Sequence, residues 1–334
     1  YTDCDHTMDQ KDIMRKLTED YDITVDRKSI KANLDCLFDY GYEIECTKTE
    51  RIKKDGTKEI ITSNWYYNHE FDDSELRMMI DSILFSKTIP AGQASELIKK
   101  IAGLSNIYFT NKMTHVSSLP GLEHTSNQQT LYNVGLIDDA ISEKKQISFV
   151  YNNYWEDKKL HPRREEPYIV NPYQMVANDG KYYLVCNYDK YDTLSNYRVD
   201  KMTQVKIINK PAKKRDKVKG MEHGLNLPKH MAEHIYMFAD EPVTIILRVK
   251  KSAISDIVDW FGSNFDVVDE SIARQYDGFR ETTDAVTYVR LVCSRQAMSH
   301  WAMQYGTSVE VIYPTELRTQ IGEAVKEMNN RYND

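Results

Sequence analysis

Asn178-Asp179-Gly180-Lys181-Tyr182-Tyr183-Leu184-Val185 is the stretch on which the fold turns. An Asp-Gly pair supplies the two positive-φ positions of a tight hairpin turn. The aromatic and branched residues behind it suit a pleated, half-buried surface. The same texture continues outward, with short β-rich runs at 147–154, 167–170, 173–177, 181–188, 196–199 and 205–208, separated by turn residues. Five or six short strands in about sixty residues predict a small barrel, which removes exposed sheet edges by closing on itself.

Downstream, residues 210–219 hold six basic side chains and one acidic one. Such a run reads as a solvated linker or as a second contact to nucleic acid. Strand patterns follow at 243–249, 265–268, 288–293 and 309–313. Between them lie a helix at 253–261, with Ile254, Ile257, Val258 and Phe261 on one face, and another at 297–305 with Met298, Trp301 and Ala302 inward. Leu317, Ile321, Ala324, Val325 and Met328 line a last helix. This order predicts a ferredoxin-like α+β domain over 211–334.

Upstream of the barrel, residues 71–146 read as a helical connector. One helix face carries Leu76, Met79, Ile80, Ile83 and Leu84, a second Leu97, Ile98, Ile101 and Leu104, and a third Leu131, Val134, Ile137 and Ile141. The stretch 117–128 reads as a loop, with His115 and His124 as lone surface histidines.

The first 70 residues have a different character. Thr7-Met8-Asp9-Gln10 has the spacing of a capping box, with Thr7 as the cap of a short helix carrying Ile13, Met14 and Leu17. Asp26 is a good N-cap for a second helix that runs to about Tyr40 and stops at Gly41. Its apolar face is Ile30, Leu34, Leu37 and Phe38. Arg27, Lys28, Ser29, Lys31 and Ala32 face largely the other way, donors beside short side chains, which suits entry into a DNA major groove. A second Asp-Gly turn, Asp55-Gly56, predicts a hairpin. From Lys48 to Lys58 there are five basic side chains against Glu50 and Asp55, with Lys53, Lys54 and Lys58 placed to meet phosphates. The pattern is a winged helix-turn-helix. Against a DNA role stand the 15 acidic and 11 basic side chains of residues 1–67; in its favour, 27–34 hold three basic residues and no acid.

The chain of 334 residues is too long for one ordinary core and reads as several domains, a multidomain α+β protein. Its formal net charge of -7 argues against a nonspecific nucleic-acid coat but leaves room for a local basic face. No apolar run is long enough to span a membrane, and the polar start is unlike a secretory signal. Five scattered cysteines (Cys4, Cys36, Cys46, Cys186, Cys293) without a C-x-x-C pair argue against a disulfide framework or zinc site and fit a reducing cytoplasm. Tyrosines outnumber phenylalanines 23 to 9, and two uses are open: packing of small sheets with the hydroxyl reaching water, or stacking on bases. No G-x-S-x-G, Walker A, H-E-x-x-H or G-x-G-x-x-G motif occurs, so no enzymatic activity, cofactor or metal is expected.

Three motifs together are distinctive: Pro172-Tyr173-Gln174, the run from Asp179 to Val185, and Tyr197-Arg198-Val199-Asp200-Lys201-Met202. They resemble the WYL domain, an Sm-like barrel, with Tyr182-Tyr183-Leu184 at the naming position and Tyr in place of Trp. Ser195 stands where relatives often carry a further arginine. Val25 to Ile30 resembles the opening of the recognition helix in DeoR-like winged helices that precede WYL domains, and 211–334 is similar to the extension that follows them. Such readers have one more helix in front, which this sequence, opening at Tyr1, is expected to lack.

The resemblance implies a transcription regulator that binds a double-stranded DNA operator, and because a single winged helix buries too little DNA for useful specificity, a homodimer is expected. It implies that the barrel senses a nucleotide or single-stranded nucleic acid, with Tyr183 and Arg198 as leading pocket residues and Tyr151, His161 and Lys201 beside them. Arg198 could clamp a phosphate with its planar fork, or pair internally with Asp200 or a glutamate. The alternative is an accessory protein of a phage-defence or RNA-guided system that binds single strands through the barrel.

Overall fold

The computed structural model describes residues 1–112, 125–276, 278–281 and 283–333. The expectations for His115, His124 and most of the 117–128 loop lie outside the described residues. The chain divides into two units, Tyr1–Thr125 and Ser126–Asp334.

In the first unit, helices α1 (Gln10–Tyr21) and α2 (Arg27–Asp39) precede an antiparallel hairpin of β1 (Ile44–Ile52) and β2 (Lys58–Tyr67). The Asp26 carboxylate accepts from the backbone N–H groups of Lys28 and Ser29, at 2.7 and 2.9 Å, and satisfies two donors the helix cannot. Thr7 does not cap α1. The backbone of Met8 exchanges two 2.8 Å hydrogen bonds with Trp65, so the chain stays extended until Asp9, whose carboxylate accepts from Asn64 N. Gly56, at φ +83°, closes the Asp55-Gly56 turn.

The apolar face of α2 is only partly buried. Ile30 is inside and Leu34 half-buried, whereas Leu37 and Phe38 are 41% and 62% exposed, because no described residue covers the second half of the helix.

Helices α3 (Asp73–Phe85), α4 (Ala91–Ala102) and α5 (Ile107–Lys112) complete this unit. Asp72 and Glu75 form a reciprocal capping box at the start of α3. Leu76, Ile80, Ala102 and Phe109 are the buried centre of this bundle, while Met79 lies at the surface.

The second unit opens with α6 (Thr130–Ser142), which belongs with the sheet and not with a connector. Its Ile137 and Ala140 pack on Ile147, Phe149, Val170, Leu184 and Met202, all fully buried. The sheet comprises β3 (Lys145–Tyr154), β4 (Leu160–Pro162), β5 (Tyr168–Asn178), β6 (Lys181–Asn187), β7 (Leu194–Arg198) and β8 (Met202–Pro211). Its antiparallel order is β4-β3-β5-β6-β7, with β8 on β3 as well. The sheet curls, and its two outer strands β7 and β8 are joined by a 3-10 turn, Val199–Lys201. The two runs on either side of Pro172 form one strand, β5, with a register shift between Pro172 and Gln174 that accommodates a residue without an N–H. Asp179 and Gly180 both have positive φ in the turn to β6, as the dipeptide foretold.

The basic run that starts at the end of β8 leaves most of its charged side chains exposed, as a solvated stretch does, but it is tied down at several points. Lys210 meets Asp189 at 2.6 Å, Lys213 meets Asp192 at 2.9 Å, and Val218 and Met221 bury against Tyr173. A short helix, α7 (Leu227–Glu233), leads to β9 (Pro242–Lys250), α8 (Ile254–Phe261), β10 (Phe265–Val268) and α9 (Glu270–Ala273). Then follow β11 (Val286–Ser294), α10 (Arg295–Gln304), β12 (Val309–Tyr313) and α11 (Thr315–Asn333). The four strands form an antiparallel sheet in the order β10-β11-β9-β12. One face buries Ile245, Leu247 and Val289 under Ile257 and Phe261 of α8 and Met298 and Trp301 of α10. Of the residues expected to line α11, Leu317 is buried, but Val325 and Met328 are about half exposed, at 51% and 49%.

Among the described residues, no helix is long and apolar enough to cross a membrane, and no His/Cys/Asp/Glu group could hold a metal ion. All five cysteines are free thiols, with Cys186 and Cys293 buried.

Candidate functional site

The register of β6 on β7 sets Tyr183 opposite Arg198, the last residue of its strand. The chain then turns through Val199–Lys201, which sends the buried Asp200 carboxylate back to the arginine. Arg198 donates from Nε to Oδ1 at 3.0 Å and from the second terminal nitrogen to Oδ2 at 2.6 Å, a two-pronged pair. Asp200 is 1% exposed and Arg198 25%. Burial works against the Arg198 charge, but the hydrogen bonds and charge of Asp200 outweigh it and hold the guanidinium above its ordinary value.

Around this pair stand Tyr151, Tyr183 and Lys201. The Tyr151 hydroxyl accepts from the Arg198 backbone N–H at 3.4 Å, and burial pushes its pKa up to about 12. Burial raises that of Tyr183 as well. Lys201 is held below its ordinary value, first by burial and then by the Arg198 charge, with Arg163 and Lys181 adding to the repulsion. A bound anion would relieve that repulsion. Four of the five expected pocket residues are therefore brought together. His161 is the fifth, and it sits on the β3–β4 hairpin with its ring stacked on Trp155 at 4.2 Å and Nε2 at 2.8 Å from Asp157.

The turn itself is locked from below. Asn127 donates to the carbonyls of Asp200 and Met202 at 3.0 and 2.6 Å, Asn133 to that of Met202 at 2.9 Å, and Asn152 to that of Lys201 at 2.9 Å. All three asparagines are buried, and the first two come from the start of α6 or just before it. Sequence reasoning missed them, as it missed Lys181. The available signal was a set of asparagines flanking apolar helix and strand positions, where an amide is retained only if it finds partners.

Most of the tyrosines here are packing rings. Phe149, Tyr151, Tyr168 and Tyr197 stack or meet edge to face at 4.8–6.3 Å, Tyr188 and Tyr197 share a 2.5 Å hydroxyl contact, and Arg164 lies 3.6 Å over Tyr168.

On the first unit, Lys28, Lys31 and Ala32 lie exposed on α2. Arg27 donates from Nε to Gln10 at 2.7 Å, and the Ser29 hydroxyl donates to Asp26 at 3.1 Å, so both are engaged inside the fold. On the hairpin, Lys53 meets Glu59 at 3.5 Å and Lys58 meets Glu50 at 3.0 Å; Lys54 is exposed at the turn. These exposed pairs are weak enough for a phosphate to displace.

Residues 133–207 match the WYL domain and residues 241–328 the WCX domain. Among solved structures, the chain is similar to the proteasome accessory factor B/C (PafBC) of Arthrobacter aurescens, at 13% identity and a TM-score of 0.29, over 96% of this chain and 46% of that one. This chain thus spans under half the length of that relative. It is also similar to a CRISPR Cas-related protein, at 13% identity and a TM-score of 0.40, over 94% of this chain and 76% of that one. No curated protein matches the sequence.

Proposed function

The chain carries a WYL domain followed by a WCX domain, and on that premise we propose that it is a ligand-responsive, DNA-binding transcription regulator without enzymatic activity. Supporting this reading, the first unit opens with two helices and a hairpin, an order that fits a winged helix-turn-helix, with Lys28, Lys31 and Ala32 exposed on α2. An Sm-like reading of the curled sheet is supported by its strand order, and a ferredoxin-like reading of the C-terminal sheet by the order β10-β11-β9-β12.

The observation that carries the ligand role is the turn from Arg198 to Lys201. Two cations lie on a segment whose carbonyls three buried asparagines hold in place, and two tyrosines from neighbouring strands stand around it. Arg198 spends two of its five donors on Asp200 and keeps the rest for a ligand. Tyr183 offers a ring on which a base could stack, for about 1–3 kcal/mol. The ligand class is a nucleotide or a short single-stranded nucleic acid.

The Arg198–Asp200 pair also gives a route for the response. A phosphate that draws Arg198 away from Asp200 acts on a turn whose carbonyls are held by Asn127 and Asn133, at the start of α6. The test begins with the duplex DNA that co-purifies with the native protein, sequenced and re-made as a labelled probe. Its affinity is then measured with and without a random-sequence single-stranded oligonucleotide pool. The regulator reading requires duplex binding that the pool changes, through a homodimer in which two readers meet a two-fold operator.

One observation favours the accessory reading: Lys53 and Lys58 are each paired with a glutamate, which lowers the positive field of the hairpin. Binding of the single-stranded pool with no duplex affinity at low salt would select that reading.

A further inference from the structure

The WCX domain holds a second charged cluster, far from the turn in sequence. Glu310 on β12 is the register partner of Arg248 on β9, and three arginines converge on its carboxylate. Arg318 of α11 donates to it at 2.9 Å and also donates to the Val311 carbonyl at 2.7 Å. Arg248 and Arg280 stand off at 3.7 Å each, beyond hydrogen-bond distance. Among the described residues neither of these two guanidinium groups makes a hydrogen bond, and Nε of Arg248 is buried without a partner. One carboxylate cannot neutralise three guanidinium groups, and a buried N–H left unmet is costly. The cluster thus has unmet donors and surplus positive charge.

A cavity of about 630 Å³ is lined by Arg248, Lys250, Glu310 and Arg318, while Arg280 lies outside its wall and is largely exposed. Its other walls include Val286, Val309, Ile321, Val325 and Met328. The exposed apolar residues of α11 that the helix pattern had placed inside are part of this wall. That volume falls within the range of small-molecule sites, and a few convergent polar groups at one end of an apolar cleft are what fixes an organic ligand's orientation. Gly278 sets no side chain against Arg318, whose guanidinium lies 3.0 Å from where a Cβ would stand.

We propose that Arg248 and Arg318, with the charge of Arg280 behind Glu310, form an oxyanion site for the carboxylate or phosphate head of a small organic ligand whose apolar body lies along Ile321, Val325 and Met328. Glu310 is the resident counter-charge that offsets the repulsion between the arginines and holds them in place until the ligand arrives. This site is independent of the barrel.

Isothermal titration of the full chain with inorganic phosphate, octyl phosphate and octanoate tests it, with the melting temperature of each variant as the folding control. Octyl phosphate or octanoate binds at least about tenfold more tightly than inorganic phosphate, since a few buried methylenes suffice for that factor. Arg248→Gln weakens the alkyl ligand by about tenfold or more. Val325→Glu, on a half-exposed wall position, weakens the alkyl ligands but not inorganic phosphate. Glu310→Gln, which removes the competing carboxylate, tightens binding, and keeps the proposal testable if Arg248→Gln does not fold. Equal affinity for all three probes, no binding of either alkyl anion, or Glu310→Gln binding more weakly than the parent would each overturn it. The arm that binds better, octyl phosphate or octanoate, assigns the head group.

Discussion

Removing the Arg198 side chain isolates what the pair with Asp200 is for. The Asp200 carboxylate is 1% exposed, and both its oxygens take their hydrogen bonds from Arg198. Arg198→Ala leaves a buried charge without its partner, a loss of about 3–5 kcal/mol in buried pairs. Arg198 is itself 25% exposed, so water can replace part of the lost contact, and the lower end, about 3 kcal/mol, applies. For a unit the size of Ser126–Asp334 this corresponds to a fall in melting temperature of about 6–12 °C.

Calorimetry of Arg198→Ala, Asp200→Asn and the double variant forms a cycle in which the double variant recovers part of the loss, because the amide carries no charge to bury. Arg198→Lys falls between, since an ammonium cannot supply two parallel bonds. If Arg198→Ala melted with the parent, the pair would contribute nothing to the fold. The structural argument would then fail, and the guanidinium would be held for a ligand alone.

Three other expectations concern separate parts of the chain. Burial, reinforced by His234, pushes His230 down to about 4, so the unfolded chain binds more protons between pH 6.5 and 4. Stability is therefore full above pH 6.5 and falls by about 3 kcal/mol on the way to pH 4; the melting temperature of His230→Gln should drop less over that interval, and an identical slope would refute the assignment. Asp26→Ala removes the cap of α2, worth about 1 kcal/mol, and should speed hydrogen exchange at the Lys28 and Ser29 amides several-fold while leaving those of α3 unchanged. On duplex DNA, Lys28→Ala should narrow the gap between specific and random sequence, whereas Lys54→Ala should weaken both equally and reduce the salt slope by about 1; the reverse pattern would exchange the roles of helix and hairpin.

What could be read from the sequence depended on how far each signal reaches along the chain. Asp179-Gly180 and Asp55-Gly56 are local and sit where the residues placed them. The strand at 309–313 and the helices around Trp301 and Leu76 follow from periodicity alone. The cap at Thr7 failed because Met8 is claimed by Trp65, 57 positions away, a competition that no local pattern reveals. Leu37, Phe38, Val325 and Met328 show the same limit: spacing tells which side of a helix is apolar, not whether anything covers it. Tyr183, Arg198 and Lys201 were proposed from motif, but the asparagines that hold their turn come from elsewhere, at or just before the start of α6 and on strand β3.

The two outer strands of the C-terminal sheet bear on how the protein behaves at high concentration. β10 spans only Phe265–Val268, too short to template much pairing, even with Val267 exposed. The opposite edge, β12, has α11 packed on it, and Arg318 occupies the Val311 carbonyl that a foreign strand would seek. Unpaired edges invite intermolecular β-pairing, and a charged side chain placed on one is a recognised defence. Arg318 thus guards solubility as well as holding Glu310. Its loss would show as slow, concentration-dependent aggregation of a chain that still folds.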